Sequence, residues 1–357
     1  MRDSPACGDG YDLVMRGRHR PTAPSRVRTA GTARVPVEAA PADGLPPDGG
    51  PAVPGIADLT HAPSVGRLLS RHGLWLTKSL GQHLLIDRGV LDRIVEAADL
   101  RPEMEVLEVG PGVGVLTTEL VSRVRRVLAV EVDPRMATVL RETVAHPSLE
   151  VVEADAMGID PADLFGGRPY SVVANLPYNL ATALVRRLLS MPAPSRPVEM
   201  VVMMQREVAQ RMAARPGDLS ALGIEIQVAA AVDLLFEVPP TAFFPAPKVT
   251  SAVVRVRPYD VPAVPLVPGP RRFFQLVRAG FAHRRKQLHN ALGDLGLGGE
   301  RIQAALEEAG IARSRRAETL TLEEWSTLSA AMWAELPSPA AAGEGVDPER
   351  AGDGEAG

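Results

Sequence analysis

A short apolar run, Glu105-Val106-Leu107-Glu108-Val109, leads directly into Gly110-Pro111-Gly112-Val113-Gly114, and a helix is expected from there through about Ser122. Glycine permits the tight turn this order demands and lets backbone N–H groups and the helix start approach a ligand closely. Strand and helix then keep alternating along the chain. That alternation predicts an α/β fold with a parallel sheet and right-handed crossovers.

A dinucleotide turn wants a third glycine three residues after the second, and Val115 stands in that place. The pattern is instead acid-x-Gly-x-Gly-x-Gly, the form associated with S-adenosylmethionine, with Gly110 and Gly112 as the cradle. A second strand, Val127–Val130, ends in Glu131, about twenty residues downstream, where a carboxylate can accept both ribose hydroxyls. After a helix over 134–144 and a third strand over 149–152 comes Asp155. It is placed either to accept from an adenine amine or to cap a helix.

The fourth apolar run, Tyr170 to Ala174, precedes Asn175-Leu176-Pro177-Tyr178 and a helical stretch from Leu180 to Leu189. Proline fixes its own φ, removes a donor and pushes Leu176 out of the helical region, so nearby carbonyls are free to accept. Asn175 adds an amide oxygen and Tyr178 an aromatic face. Acceptors beside a stacking surface suit a planar base held by its exocyclic amine; the same tetrapeptide also suits an ordinary loop in which asparagine caps a helix. A fifth strand over 198–204, a helix over 205–214 and strands at Ile224–Val232 and Ala252–Val256 follow. Between the last two, Phe243-Phe244-Pro245-Ala246-Pro247-Lys248-Val249 reads as a proline-fixed loop in which Phe244 flanks a base and Lys248 grips its phosphate, although phenylalanines also fill cores.

Residues 1–64 are rich in Pro, Gly, Ala and Arg without hydrophobic period and are expected as a disordered tail, a solvated extension or the product of a start assigned upstream. The α/β domain takes 65–258, a proline-rich linker 259–270, a smaller all-helical domain 271–335 and a second disordered tail 336–357. Net charge is only −4, so a nucleic-acid surface has to be a local patch. The first helix of the second domain supplies one with Arg271, Arg272, Arg278, His283, Arg284, Arg285, Lys286 and His289, and Arg284, Arg285 and Lys286 are the expected phosphate contacts. The single cysteine, Cys7, excludes an internal disulfide, a cysteine-based zinc cluster and a CxxC redox pair. No apolar span reaches transmembrane length and no signal-type segment opens the chain, so a cytoplasmic enzyme without a membrane partner is expected.

Five stretches together resemble the ribosomal RNA adenine N6-dimethyltransferases, specifically the bacterial small-subunit (16S) enzymes. They are Gly81 to Leu85, Glu108 to Gly114, Asn175 to Asn179, Phe243 to Val249, and Phe281-x-x-Arg284-Arg285-Lys286, and the similarity runs from about Thr77 to at least Ala291, weakly to about residue 333. The resemblance implies a Rossmann-like class I S-adenosylmethionine-dependent methyltransferase domain with a smaller helical C-terminal domain that binds RNA. It implies cofactor contacts at His83, Leu85, Gly110, Glu131, Asp155 and Asn175. It also implies N6,N6-dimethylation of two adjacent adenines in the 3′-terminal hairpin loop of 16S rRNA, within the pre-30S subunit during its biogenesis, by a monomer. Asn175, Leu176, Pro177 and Tyr178 would carry the chemistry, with no metal required. Two departures stand out: His83 replaces the family's asparagine, and Leu222-Gly223-Ile224-Glu225 keeps only the glycine of the family's Tyr-Gly and Leu-Ser pairs.

Other readings share much of this pattern. A 23S rRNA adenine methyltransferase of the macrolide-resistance type has the same glycine loop, Asn-Pro turn and basic helix; Gly81-Gln82 and Leu176 to Asn179 favour the small-subunit enzyme. A mitochondrial transcription-factor relative is disfavoured by the lack of an amphipathic, acid-poor presequence. A non-catalytic ribosome assembly factor is disfavoured by the intact glycine loop, Glu131 and Asn175. Val115 speaks against a nicotinamide dehydrogenase.

Overall fold

Strands rich in Val, Leu, Ala and Met form the middle of the larger unit because helices cover them on both faces. The computed structural model describes residues 59–74, 83–283 and 285–334, and the chain divides into two units, Met1–Ala263 and Val264–Gly357. In the larger unit the chain order is α1 (Ala62–Arg71), β1 (Leu84–Leu85), α2 (Arg88–Ala97), β2 (Glu105–Val109), α3 (Val115–Val121), β3 (Arg126–Glu131), α4 (Pro134–Thr143) and β4 (Leu149–Glu153). It continues with α5 (Pro161–Phe165), β5 (Ser171–Asn175), α6 (Ala181–Ser190), β6 (Glu199–Gln205), α7 (Arg206–Met212), α8 (Ala221–Ala229), β7 (Ala230–Val238), β8 (Phe243–Phe244) and β9 (Ser251–Pro258). Helix α1 begins inside the stretch expected as tail; residues 1–58 of that tail, and the tail at the other end from residue 335 onward, lie outside the described residues.

Alternation along each strand divides the core in two. Val106, Val127, Ala129, Val173, Val201 and Val253 enter one cluster with α1 to α4. Their neighbours Leu107, Leu128, Val130, Val172, Val202 and Val254 enter the other, with α6 to α8. Side chains pointing alternately to the two faces of a strand give this three-layer arrangement. Asp87, Asp133 and Asp160 cap α2, α4 and α5 through their carboxylates, so those helices start where the sequence places an acid ahead of the apolar period.

The sheet order is β4-β3-β2-β5-β6-β9-β7. Its first five members are parallel, but β9 runs antiparallel to β6 and β7 antiparallel to β9, so the sheet is mixed rather than wholly parallel. The chain winds from β2 outward to β4, then returns to β5 on the other side of β2. That reversal places a crevice between the carboxyl ends of β2 and β5. The strand expected at Ile224–Val232 is mostly helix: α8 runs through Ala229, with Ser220 as its cap, and only Ala230 onward is extended. Its continuous apolar run is buried on nearly all sides, and such a run carries no period that separates helix from strand. Phe243 and Phe244 are likewise not free loop; they pair antiparallel with Leu85 and Leu84 in a separate two-stranded ribbon.

The second unit is helical, with α9 (Pro270–Ala282), α10 (Leu288–Ala291), α11 (Gly299–Glu308) and α12 (Leu322–Trp333). Phe273, Leu276, Leu288, Leu292, Ile302, Leu306, Trp325 and Leu328 are buried there. Thr321 and Glu324 form a reciprocal capping box at the start of α12. Part of the expected linker belongs to this unit: Val264 is buried, and the Pro265 and Val267 carbonyls accept from the Ser326 and Ser329 hydroxyls. The cations read as one helix are not on one helix. Helix α9 stops at Ala282, His283 pairs with Asp294 at 2.9 Å, and Arg285 and Lys286 occupy an exposed turn before α10. Arg284 lies outside the described residues. Among the described residues no helix is long and apolar enough to cross a membrane.

Gly114 shows how tightly the glycine turn is seated. Its φ is +91°, and a Cβ there would lie 2.6 Å from Val144 Cγ2 and 2.9 Å from Leu140 Cδ1, both on buried residues. Gly114→Ala is therefore expected to lower stability by about 1–3 kcal/mol. Thermal unfolding checks this, and an unchanged midpoint would show that α4 yields freely.

Candidate active site

Four neighbouring strands, β4, β3, β2 and β5, end at one cavity of about 400 Å³. That size suits a small-molecule ligand, for which clefts run roughly 300–1,000 Å³. Its lining contains His83, Leu85, Gly110, Gly112, Glu131, Asp155, Asn175, Leu176, Pro177 and Tyr178, so ten of the residues singled out in the sequence meet there. Every lining residue belongs to the larger unit.

The glycine turn forms one wall. Gly110 and Gly112 have φ of +68° and +59°, and a Cβ on Gly112 would lie 2.6 Å from Leu84 Cδ2, so side chains are excluded on steric as well as conformational grounds. The result is bare backbone at the entrance to α3. Beside it, Glu131 Oε1 accepts from the backbone N–H of Val132 (2.9 Å) and Asp133 (3.0 Å). Burial pushes the Glu131 carboxyl up, and those N–H groups with that of Gly112 oppose the shift. An ordered carboxylate beside a glycine cradle fits a ribose diol, because Oε1 is anchored and the group cannot rotate away. Asp155 is exposed and accepts from Met157 N–H at 2.9 Å, the helix-cap habit, while still lining the cavity.

Asn175 holds the opposite wall. Its Nδ2 donates to the His83 carbonyl at 3.0 Å, which fixes the amide so that Oδ1 is the atom left to accept, and no donor among the described residues takes it. Leu176 N–H donates to the Met203 carbonyl at 3.1 Å, while the Leu176 carbonyl accepts no hydrogen bond among the described residues. The Pro177 carbonyl is already used by Leu180 and Ala181 N–H. Two free oxygens on consecutive residues are what a primary amine with two N–H donors requires. Tyr178 is half-buried, its hydroxyl 2.6 Å from Ser251 Oγ and its ring 5.4 Å from the His83 ring with a 32° tilt. Burial pushes the Tyr178 phenol up and the Ser251 hydrogen bond opposes this, so the ring offers a neutral face rather than a base.

His83 differs from its expected part in one respect. Its Nδ1 lies 2.7 Å from the Pro245 carbonyl, which can only accept, so Nδ1 carries the proton and only Nε2 is left for a ligand. Phe244 and Lys248 are not among the lining residues: Phe244 is half-buried in the ribbon against the core, and Lys248 is exposed. Phe244 packs against the core cluster although its ribbon partner Leu84 lines the cavity. Arg285 and Lys286 are exposed in the second unit.

Three lining or supporting residues were not singled out in advance. Val132 is 70 % exposed directly after Glu131, an apolar surface on the cavity lining. Glu108 is fully buried in the floor, where burial pushes its carboxyl up to about 8, with Thr117 Oγ1 donating to it at 2.7 Å. Ser251 is fully buried behind Tyr178. The sequence signal for Glu108 was its place in the acid-x-Gly motif; Ser251 gave none.

Residues 75–333 match the sequence model of the family described as Ribosomal RNA adenine dimethylase. A protein of Dehalococcoides mccartyi strain 195 named Ribosomal RNA small subunit methyltransferase A is 43 % identical over 266 residues, covering 73 % of this chain and 90 % of its own length. Among solved structures, that of the 23S rRNA methyltransferase ErmE is 32 % identical with a TM-score of 0.56, covering 70 % of this chain and 98 % of its own. A dimethyladenosine transferase from Plasmodium falciparum is 25 % identical with the same TM-score of 0.56, covering 69 % of this chain and 96 % of its own.

Proposed function

The chain belongs to the ribosomal RNA adenine dimethylase family, and from that membership we propose how its site works on 16S rRNA. It is an S-adenosylmethionine-dependent enzyme that dimethylates adenine N6 in small-subunit rRNA. The substrate reading rests on the small-subunit relatives, which are 40–43 % identical where ErmE is 32 %. The observation that carries the chemistry is the Asn175 amide, turned by the His83 carbonyl so that Oδ1 stands free beside the free Leu176 carbonyl.

An adenine amine is a poor nucleophile because its lone pair is delocalised into the ring. Asn175 Oδ1 and the Leu176 carbonyl each take one N–H, so the nitrogen can pyramidalise and present its lone pair. Tyr178 holds the extruded base by stacking, worth about 1–3 kcal/mol. The bound cofactor supplies a methyl group on a sulfonium. Gly110, Gly112 and Glu131 would hold it, together with Asp155, Val132, His83 and Leu85, which line the same cavity. The fit rests on the bare glycine backbone and the anchored Glu131 carboxylate. No dedicated base is needed, since the amine proton becomes acidic after transfer; the chain's contribution is position.

Arg285 and Lys286, with Arg284, meet rRNA phosphates from the helical unit. The two targets are adjacent adenines in the 3′-terminal hairpin loop, modified in the pre-30S particle. The chain acts as a monomer in this reading. Incubating the chain and cofactor with small-subunit particles from a strain lacking the modification tests this. Mass spectrometry of rRNA digests is expected to show N6,N6-dimethyladenine in the 16S fragment; modification of 23S rRNA alone, or of neither, overturns the reading.

A further inference from the structure

Tyr178 is held from two sides by one short segment of chain, and the contacts that do so lie outside the methyl-transfer chemistry. At the phenol tip stands Ser251 Oγ, 2.6 Å away. Ser251 is 0 % exposed and opens β9, where it is paired with Gln205 of β6 on one side and Val238 of β7 on the other. Its backbone is thus held between two strands at the end of both ladders, and the hydroxyl cannot readily follow the ring if the ring moves. On the other side the His83 imidazole lies 5.4 Å from the Tyr178 ring and is itself tied to the Pro245 carbonyl at 2.7 Å. Residues 245 and 251 bound the same proline-containing stretch. One end therefore reaches Tyr178 directly and the other reaches it through His83.

We propose that Ser251 is a positioning residue for the reaction: its buried hydroxyl fixes the plane of the Tyr178 ring so that the platform is already set when the target base arrives. This rests on the reading of Tyr178 as the surface on which the base stacks. A phenol at the end of two rotatable bonds presents a defined face only if its tip is anchored. Anchoring it in the apo chain moves the ordering cost out of the binding step. The His83 ring, 5.4 Å away and tilted by 32°, limits the same ring from its side. Tyr178 and His83 both line the cavity.

The test is a double-mutant cycle in the full chain with small-subunit particles as substrate. Ser251→Ala and Tyr178→Phe each delete the same hydrogen bond, and each is expected to lower kcat/KM for the particle by about 5- to 20-fold. The double variant should be no worse than either single one, because both remove one interaction. Cofactor affinity by calorimetry should stay within about twofold of wild type, since Gly110, Gly112 and Glu131 are untouched. A readout without substrate or cofactor separates this proposal from the functional one: with the 4 tyrosines labelled at the ring carbons, Ser251→Ala should change the ring-flip broadening of Tyr178 alone. Multiplicative losses in the double variant, or an unchanged Tyr178 resonance, overturn the proposal. If Ser251→Ala does not fold, Tyr178→Phe decides, because it leaves β9 untouched, and an unchanged kcat/KM in that variant also overturns it. Wild-type chain that fails to methylate while Tyr178 still responds to Ser251→Ala sinks the functional reading instead.

Discussion

Asn175→Ala is expected to slow turnover by about 100- to 1,000-fold, the loss seen when one preorganised polar group facing a developing charge is removed. The amide does two jobs at once. Its Nδ2 is engaged by the His83 carbonyl, and that bond is what aims Oδ1. Alanine removes the acceptor and also leaves the His83 carbonyl without its donor. Cofactor binding should weaken less, by under about tenfold, because Gly110, Gly112 and Glu131 are untouched and a lost neutral hydrogen bond is worth about 1 kcal/mol. Asn175→Asp sharpens the argument. It keeps an acceptor for the amine but turns a second oxygen on the His83 carbonyl, so it is expected to remain impaired. Single-turnover rates beside calorimetric cofactor affinity would check both. Turnover equal to wild type in Asn175→Ala would take Asn175 out of the mechanism.

The elements that build the cavity were largely legible because each carries a local rule. Glycines with positive φ marked the turn, acids at strand ends marked the ribose side, and proline at 177 marked where the helix could not start. All three signals sit within a few residues of a strand end, where the α/β topology brings them together. What was not legible depends on contacts between residues far apart in sequence. The ribbon joining Leu84–Leu85 to Phe243–Phe244 spans about 160 residues, and Phe244 packs on the core there rather than lining the cavity. The return of β9 beside β6, antiparallel, has no local marker, because a buried central strand reads the same in either direction. The helical run of cations broke at His283, where the chain leaves α9 and Leu288 N–H bonds to the Arg315 carbonyl at 2.7 Å. Ser251 became visible only once β9 was seen behind Tyr178.

Glu108→Gln is expected to make the apo chain more stable, and increasingly so as pH rises. The carboxyl is buried in the cavity floor; burial raises it first, Glu131 adds to the shift, and the Thr117 hydroxyl opposes it, leaving it at about 8 against an ordinary 4.5. An acid raised by folding has its proton bound more tightly in the folded state. Below about pH 4.5 both states are protonated and Glu108 costs nothing. Between about 4.5 and 8 the unfolded chain ionises while the folded one does not, so stability falls as pH rises; above 8 the loss is constant. At full extent the loss is about 3–5 kcal/mol. Glutamine cannot ionise and can still accept from Thr117, so the variant should match wild type near pH 4 and exceed it by several kcal/mol near pH 9. Denaturant unfolding at the two pH values measures the difference, and parallel stability curves for the two proteins would show that Glu108 does not titrate as described. A buried acid kept at such a cost is expected to serve a cationic ligand, whose arrival favours the ionised form. The same substitution should therefore weaken cofactor binding while it strengthens the fold, and a variant that gained stability with undiminished affinity would leave Glu108 without a part in the site.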